Sequence, residues 1–232
     1  MIRLNIIVEG HTEERFVKDV LSVHLALFEV YAVARKVKTS RHGKKIYKGG
    51  MTTYAKLKKD FFQWMKYDSS CNVRFTSMID LYALPKDFPD YNKSTIINNP
   101  FQKVEYLENS FARDIQDSRF IPYIQLHEYE ALILSKPQSL KNIFFEHDAQ
   151  INALVELTKS FSSPELIDEG FDTSPSKRII QQIPSYRYVK SIAGPSTAKD
   201  IGLNIIRKQC PHFGNWLNQL EKLNERYDTV NI

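Results

Sequence analysis

Acidic side chains close apolar runs at widely separated points of this chain. In "IIVEGHTEERF", residues 6–16, Glu9 follows branched apolar residues, Gly10 comes next, and Glu13 and Glu14 fall in the first turn of a helical pattern. "NVRFTSMID" alternates Val73, Phe75, Ser77 and Ile79 and ends on Asp80, while "LHEYEAL" sets His127, Glu128 and Glu130 after another short apolar stretch. Carboxylates gathered in a partly desolvated cleft repel one another, so such a cluster persists best around a divalent cation. Oxygen donors of this kind suit magnesium or manganese better than zinc or copper. Taken singly, each acid is as well explained by solvation, helix capping or a lysine partner; the joint pattern points to a metal. Glu128 and Glu130 cannot share a helical face. One of them, with Glu128 favoured by its nearness to the strand end, is expected to face the site while the other caps, pairs or points to solvent. His127 could ligate metal, move a proton or be a hydrogen-bonded structural histidine, and His11 reads equally as an exposed turn residue.

Cations gather in two places. "TSPSKRII" can start a helix at Ser174 with Pro175 in its first turn, aiming backbone N–H groups, Lys177 and Arg178 at an anion. "RKVKTSRHGKKIYKGG" carries Arg35, Lys36, Lys38, Arg41, Lys44, Lys45 and Lys48 with no acid. That run could follow a nucleic-acid backbone or dock on an acidic partner. Phe213 and Trp216 of "CPHFGNWL" read as core, and Cys210 beside His212 supplies too few ligands for zinc.

The elements that must position these residues follow from periodicity. Residues 2–8, "IRLNIIV", read as a central strand, and "HTEERFVKDVLSVHLALF" as a helix with Phe16, Val20, His24 and Leu27 on one face and Thr12 as its cap. A second strand is expected over 30–34, a helix over 53–67 and a third strand ending at Asp80. Another helix starts at Pro100, and one short strand, weakened by Pro122 unless it lies at an edge or starts there, runs directly into the helical segment of "LHEYEALIL". Gly10 allows either a close backbone approach or a positive φ. Past about residue 137 only helices are expected, among them "DAQINALVELTKSF", "SPSKRIIQQI", "STAKDIGLNIIRK" and "FGNWLNQLEKLNERY". Residues 1–136 therefore form an α/β domain with a parallel sheet, and 137–232 a helical region packed on it. Functional groups of such sheets sit at the carboxyl ends of the strands, where Glu9, Asp80 and Glu128 are expected to meet.

Composition narrows the classes. The 232 residues are 42% hydrophobic, and Lys plus Arg exceeds Asp plus Glu by 32 − 27 = 5. That describes a folded chain for which a polyanionic partner is plausible. Two cysteines distant in sequence, no apolar stretch of membrane-spanning length and no leader-like N-terminus lead to an expected cytoplasmic location without a membrane partner. No Walker-type phosphate loop is present, which disfavours phosphoryl transfer to a small nucleotide.

"IVEGHTEERF" resembles the Glu-Gly-x-x-Glu opening of Toprim domains, the metal-binding module of topoisomerases, primases and overcoming-lysogenization-defect nucleases, and "SMIDLYALP" resembles their Asp-x-Asp strand end. Together with "MIDLYALPKDFP", "PYIQLHEYEALIL", "TSPSKRI" and "CPHFGNWL", nearly the whole chain is similar to a Toprim-like bacterial family long left as a domain of unknown function. Members of that family are often encoded beside ABC- or AAA-type ATPases in phage-defence loci. The resemblance implies a Toprim-like Rossmannoid sheet and a Mg²⁺- or Mn²⁺-dependent nuclease acting on DNA or RNA, in abortive infection with an ATPase partner; a homo-oligomer is allowed. It makes Glu9 and Asp80 metal ligands and catalytic residues, with Glu128 or Glu130 in place of the second aspartate, whose position is Tyr82. Glu13 or Glu130 could complete the shell, and Lys177 could stabilise developing charge. The departure at Tyr82 leaves open a non-catalytic subunit that binds nucleic acid or regulates an ATPase.

If the basic run tracks phosphates, binding weakens as salt rises through counterion release. Changing Arg41, Lys44 and Lys45 together to Ala is expected to lower nucleic-acid affinity and flatten the log–log salt slope by up to about 3. Fluorescence anisotropy across a salt series measures both; an unchanged slope assigns the run to a protein partner or to solubility.

Overall fold

A computed structural model describes residues 1–37, 40–42, 45–47, 53–167 and 172–228. The chain opens with β1 (Ile2–Val8), α1 (His11–Phe16), a π-helical turn over Val17–Leu21 and α2 (Ser22–Leu25), followed by β2 (Val30–Lys36). A short antiparallel hairpin, β3 (Ser40–His42) with β4 (Lys45–Tyr47), precedes α3 (Tyr54–Tyr67) and β5 (Val73–Asp80). Next come α4 (Tyr91–Ser94), α5 (Pro100–Ile115), β6 (Phe120–Ile121) and β7 (Ile124–Gln125). Helices complete the chain: α6 (Glu130–Ile133), α7 (Asp148–Lys159), α8 (Pro175–Gln182), α9 (Tyr186–Ile201), α10 (Leu203–Gln209), α11 (Pro211–Glu221) and α12 (Leu223–Asp228).

The fold is α/β, a parallel sheet flanked by helices, as expected. Its order is β2-β1-β5-β6, with β7 also pairing on β5. β1 lies between β2 and β5 and pairs in parallel with both, Val8 opposite Lys36 on one side and Met78 on the other. A strand covered on both faces needs apolar side chains on both, and Leu4, Ile6, Ile7 and Val8 are all buried. Ile2, Leu4, Ile6 and Val8 join a core built with α1 and the C-terminal helices, whereas Ile7, Val73, Phe75 and Ile79 face a second core under α3 and α5. In the second core Phe111 meets Phe61, Phe88 and Phe120 edge-on at centroid distances of 5.6, 5.2 and 4.7 Å. Each such pair contributes about 0.5–1.5 kcal/mol beyond area burial.

The first core runs from Ile2 to Leu223, so the helices after residue 137 complete the layer over β1. Trp216 of α11 shows how tightly they are tied: its ring stacks on Tyr123 at 4.1 Å, and its Nε1–H donates to Thr76 Oγ1 of β5 at 3.0 Å. Both Phe213 and Trp216 are core residues, as expected. No described helix is long and apolar enough to cross a membrane.

Four details differ from expectation. The π-helical turn over Val17–Leu21 adds a residue to one turn and rotates the helical residues after it, so Leu27 is 80% exposed and His24 leaves the apolar stripe to pair with Glu221 at 2.6 Å. Gly10, not Thr12, is the N-cap of α1. Pro122, lacking an N–H, splits the fourth strand into β6 and β7. The helix expected over "STAKDIGLNIIRK" is two: α9 starts at Tyr186, runs through Gly194 and Pro195 and stops at Gly202, whose φ of 81° suits glycine, and α10 follows.

The shifted register predicts opposite effects for two leucines of this helical segment. Leu21, fully buried, is expected to cost about 2–5 kcal/mol on change to Ala, while Leu27→Ala stays within about 0.5 kcal/mol. Urea denaturation measures both; comparable losses would restore the uninterrupted helix.

Candidate functional site

Parallel pairing brings the carboxyl ends of β1 and β5 side by side, which puts Glu9 and Asp80 next to each other: the Asp80 N–H reaches Glu9 Oε2 at 3.4 Å. Glu13 lies in the first turn of α1 and bends back to accept the Gly10 N–H at 2.8 Å. Gly10 has φ −138°, ordinary extended backbone, so its value is space: a Cβ there would lie 3.0 Å from Glu13 Oε2.

Beyond β7 the chain reverses at His127, held at φ 58°, and its carbonyl accepts the Tyr82 N–H at 3.0 Å. This left-handed residue turns Glu128 inward before α6 begins, so the helical-face argument does not apply to it. Glu128 and Glu130 are therefore both buried and both inward, contrary to the expectation that only one would be. Glu128 Oε1 accepts the Ser176 N–H at 2.5 Å, so the anion met by the start of α8 is a carboxylate of the protein itself. Glu130 Oε1 accepts from Lys190 Nζ at 3.1 Å and from the Tyr186 hydroxyl at 3.3 Å, both on α9.

Glu9, Glu13, Asp80, Glu128 and Glu130 thus share one centre, and its electrostatics are those of crowded, dehydrated acids. Burial, and then the charges of Glu9, Glu13, Glu128 and Glu130, drive the Asp80 carboxyl well above the usual carboxylate range. Burial raises Glu9 too, with Glu128 adding to it and the Asp80 N–H and Lys190 opposing. Glu13 is pushed up to about 7 by burial, partly offset by its backbone hydrogen bond, with Glu9 raising it further. Glu130 is pushed up to about 7 by burial despite Lys190. Burial pulls the Lys190 ammonium down, but Glu130 and Glu128 outweigh it and raise it.

The donor set is all oxygen and suits a hard divalent cation. Asp80 Oδ1 is buried without a hydrogen-bond partner among the described residues, an atom left over for a ligand. No group of three described His, Cys, Asp or Glu side chains already stands in metal-binding geometry, so an ion would have to draw the carboxylates together. The residues fit a magnesium or manganese ion by chemistry and by the orphaned Asp80 oxygen.

The other expected residues have varied surroundings. His127 is buried, and its charge would act on Glu165, itself bonded to the His212 and Phe213 N–H groups. His11 is exposed beside Lys36 Nζ at 3.0 Å. Lys177 and Arg178 come after Ser176 in the first turn of α8, where Arg178 Nε donates to the Thr173 carbonyl at 3.2 Å. In the basic run, Arg35 lies over the Trp64 ring at 5.4 Å and Lys36 pairs with Glu14 at 2.5 Å, so both serve internal contacts as well. Arg41 and Lys45 fall on the two strands of the hairpin, and Lys38, Lys44 and Lys48 lie outside the described residues. Tyr82, at the position of the second strand-end aspartate, is 53% exposed in a 3₁₀ turn.

Lys190 and Tyr186 are not identified by the sequence patterns. They face the site because Gly194 lets α9 close on α1: a Cβ there would sit 3.0 Å from Tyr129, 3.2 Å from the Tyr186 hydroxyl and 3.4 Å from Thr12. Tyr186, Lys190 and Gly194 recur every four residues, a helical stripe that carried the signal.

Fold and site together define an α/β protein with an acidic centre at the carboxyl ends of a parallel sheet. A family model described as "Domain of unknown function (DUF4276)" matches residues 8–221, and the chain belongs to that family. No curated protein matches the sequence. Two solved structures of the C-terminal region of the OLD protein from Xanthomonas campestris pv. campestris are similar to it. The mercury-phased one is 13% identical over 94% of this chain and 98% of that chain, with a TM-score of 0.40. The platinum-phased one is 14% identical over 94% and 95%, with a TM-score of 0.42.

Acids raised by burial give the metal-free protein a distinct pH dependence. Between about 4.5 and about 7 the folded state keeps protons on Glu13 and Glu130 that the unfolded chain has released. That contribution is complete below the unfolded value and is lost as pH rises through the folded one. In chelator, Tm is expected to fall as pH rises across this window, and Glu13→Gln with Glu130→Gln to flatten the fall. A Tm that rises across the window would mean the acids are already compensated.

Proposed function

We propose that this protein is a magnesium- or manganese-dependent, Toprim-like nuclease that hydrolyses phosphodiester bonds in DNA or RNA. One observation carries the reading: five carboxylates from three distant segments meet, short of positive charge, where parallel strands present functional groups. A bound divalent cation supplies an activated water and neutralises charge building on the phosphorane and leaving oxygen. Glu9 and Asp80 would hold the ion, and the Asp80 oxygen that lacks a partner among the described residues is free to take part. Glu128 is oriented by the Ser176 N–H and replaces the acid absent at Tyr82, while Glu13 and Glu130 complete the shell. Lys177, one residue past that contact in the first turn of α8, would stabilise the developing charge. The motif resemblance of "VEGHTEERF" and "SMIDLYALP" supports the step from metal centre to nuclease. It also supports an ABC- or AAA-type ATPase partner in phage defence.

Two observations favour a second reading, a non-catalytic nucleic-acid-binding or regulatory subunit of an ATPase complex: Tyr82 is half exposed, and no ligand geometry is assembled among the described residues.

Glu9→Gln and Asp80→Asn keep size and remove ligand charge. Each is expected to lower metal-dependent cleavage by at least about 100-fold while leaving nucleic-acid binding nearly intact and the melting temperature equal or higher. Cleavage of DNA, RNA and transfer RNA is measured with manganese, with chelator, and with and without the proposed ATPase partner. No cutting in any sample makes the regulatory subunit the correct reading. Cutting untouched by both substitutions puts the chemistry elsewhere on the chain.

A further inference from the structure

The acidic centre holds its own cation. Lys190 is the lysine whose charge acts on Glu9, Glu13 and Glu130 at once, and its ammonium bonds Glu130 Oε1 at 3.1 Å. The two partners are unequal in freedom: the Glu130 side chain is 3% exposed and fixed by α6, whereas that of Lys190 is 34% exposed and sits on a flexible stem. Tyr186 donates to the same Glu130 oxygen, so this carboxylate keeps a hydrogen-bond donor if the lysine leaves. Gly194, one turn beyond Lys190, permits the close helix approach that brings the ammonium to the acids.

We propose that Lys190 is the internal counter-ion of this centre, offsetting part of the carboxylate charge while no metal is bound and competing with the incoming metal for Glu130, and so setting the metal affinity. This rests on the metal reading above and adds how the empty centre is tolerated. Metal entry brings two positive charges among the acids and makes the ammonium redundant; repulsion between the cations favours swinging Lys190 toward solvent, which its exposure allows. A lysine serving only as a strut between α6 and α9 would make a different prediction, since its loss would weaken the fold equally with and without metal.

The test uses the full chain as wild type, Lys190→Met and the charge-preserving Lys190→Arg. Manganese binding is measured by titration calorimetry, and melting temperature in chelator and in saturating manganese. Lys190→Met is expected to melt below wild type in chelator and to gain more from manganese. It should bind manganese at least about tenfold more tightly, because a unit charge a few ångströms away acts strongly at an effective dielectric of about 20. Lys190→Arg stays within about threefold of wild type, as its charge is kept. A Lys190→Met protein that folds only when manganese is present supports the same conclusion. Unchanged or weaker manganese affinity in Lys190→Met overturns the counter-ion role while leaving the metal reading standing. So does a Lys190→Met protein that stays unfolded in saturating manganese while Lys190→Arg folds, because the lysine then serves as a charged strut to Glu130 that metal cannot replace. Wild-type protein that takes up no manganese overturns the metal reading itself, and the counter-ion role with it.

Discussion

Burying like charges together is the constraint to which this structure answers. Two carboxylates a few ångströms apart in a partly dry cleft each make the other harder to ionise, and here five share one centre. The fold meets that cost with donors from every side: the N–H of Gly10 for Glu13, of Asp80 for Glu9, of Ser176 for Glu128, and the Lys190 ammonium with the Tyr186 hydroxyl for Glu130. Even so, Asp80 Oδ1 is left without a partner among the described residues. Natural proteins keep such locally destabilised groups where function requires them and recover stability elsewhere.

The stability is recovered in the two cores that clamp the sheet. Phe111 and its aromatic neighbours hold α5 and α3 on one face, while Trp216, stacked on Tyr123 and bonded to Thr76, holds α11 against the other. This explains why the C-terminal helices cannot be a detachable accessory. They cover β1, and they also carry Ser176, Tyr186 and Lys190, the groups that make a cluster gathered from the α/β half tolerable.

Much of this was legible in the sequence because strands announce themselves locally. An apolar run or a two-residue alternation that ends abruptly in an acid, as at Glu9 and Asp80, encodes both an element and its functional end. Features created by the contact of distant segments were not legible. The π-helical turn at Val17–Leu21 preserves a helix-like pattern while changing which residues it buries. Lys190 lies in "YVKSIAGPS", where glycine and proline suggest an ending, and its role exists only because α9 continues past both and docks on α1. The inward turn of Glu128 depends on a single left-handed residue, His127, and histidine is not a residue that marks such a conformation reliably.

That turn also gives a physical account of the departure at Tyr82. Past Asp80, β5 gives way to a 3₁₀ turn whose Tyr82 N–H is bound by the His127 carbonyl, and the Tyr82 side chain is half exposed. The same hydrogen bond fixes both segments. It ties off the strand end after Asp80, and it anchors the reversal that turns Glu128 inward and leads to Glu130. A single backbone contact thus sets the strand end that carries Asp80 beside the segment that carries Glu128 and Glu130. An acidic centre can then be kept without the second strand-end aspartate, provided that α8 and α9 supply the donors that hold the replacements in place.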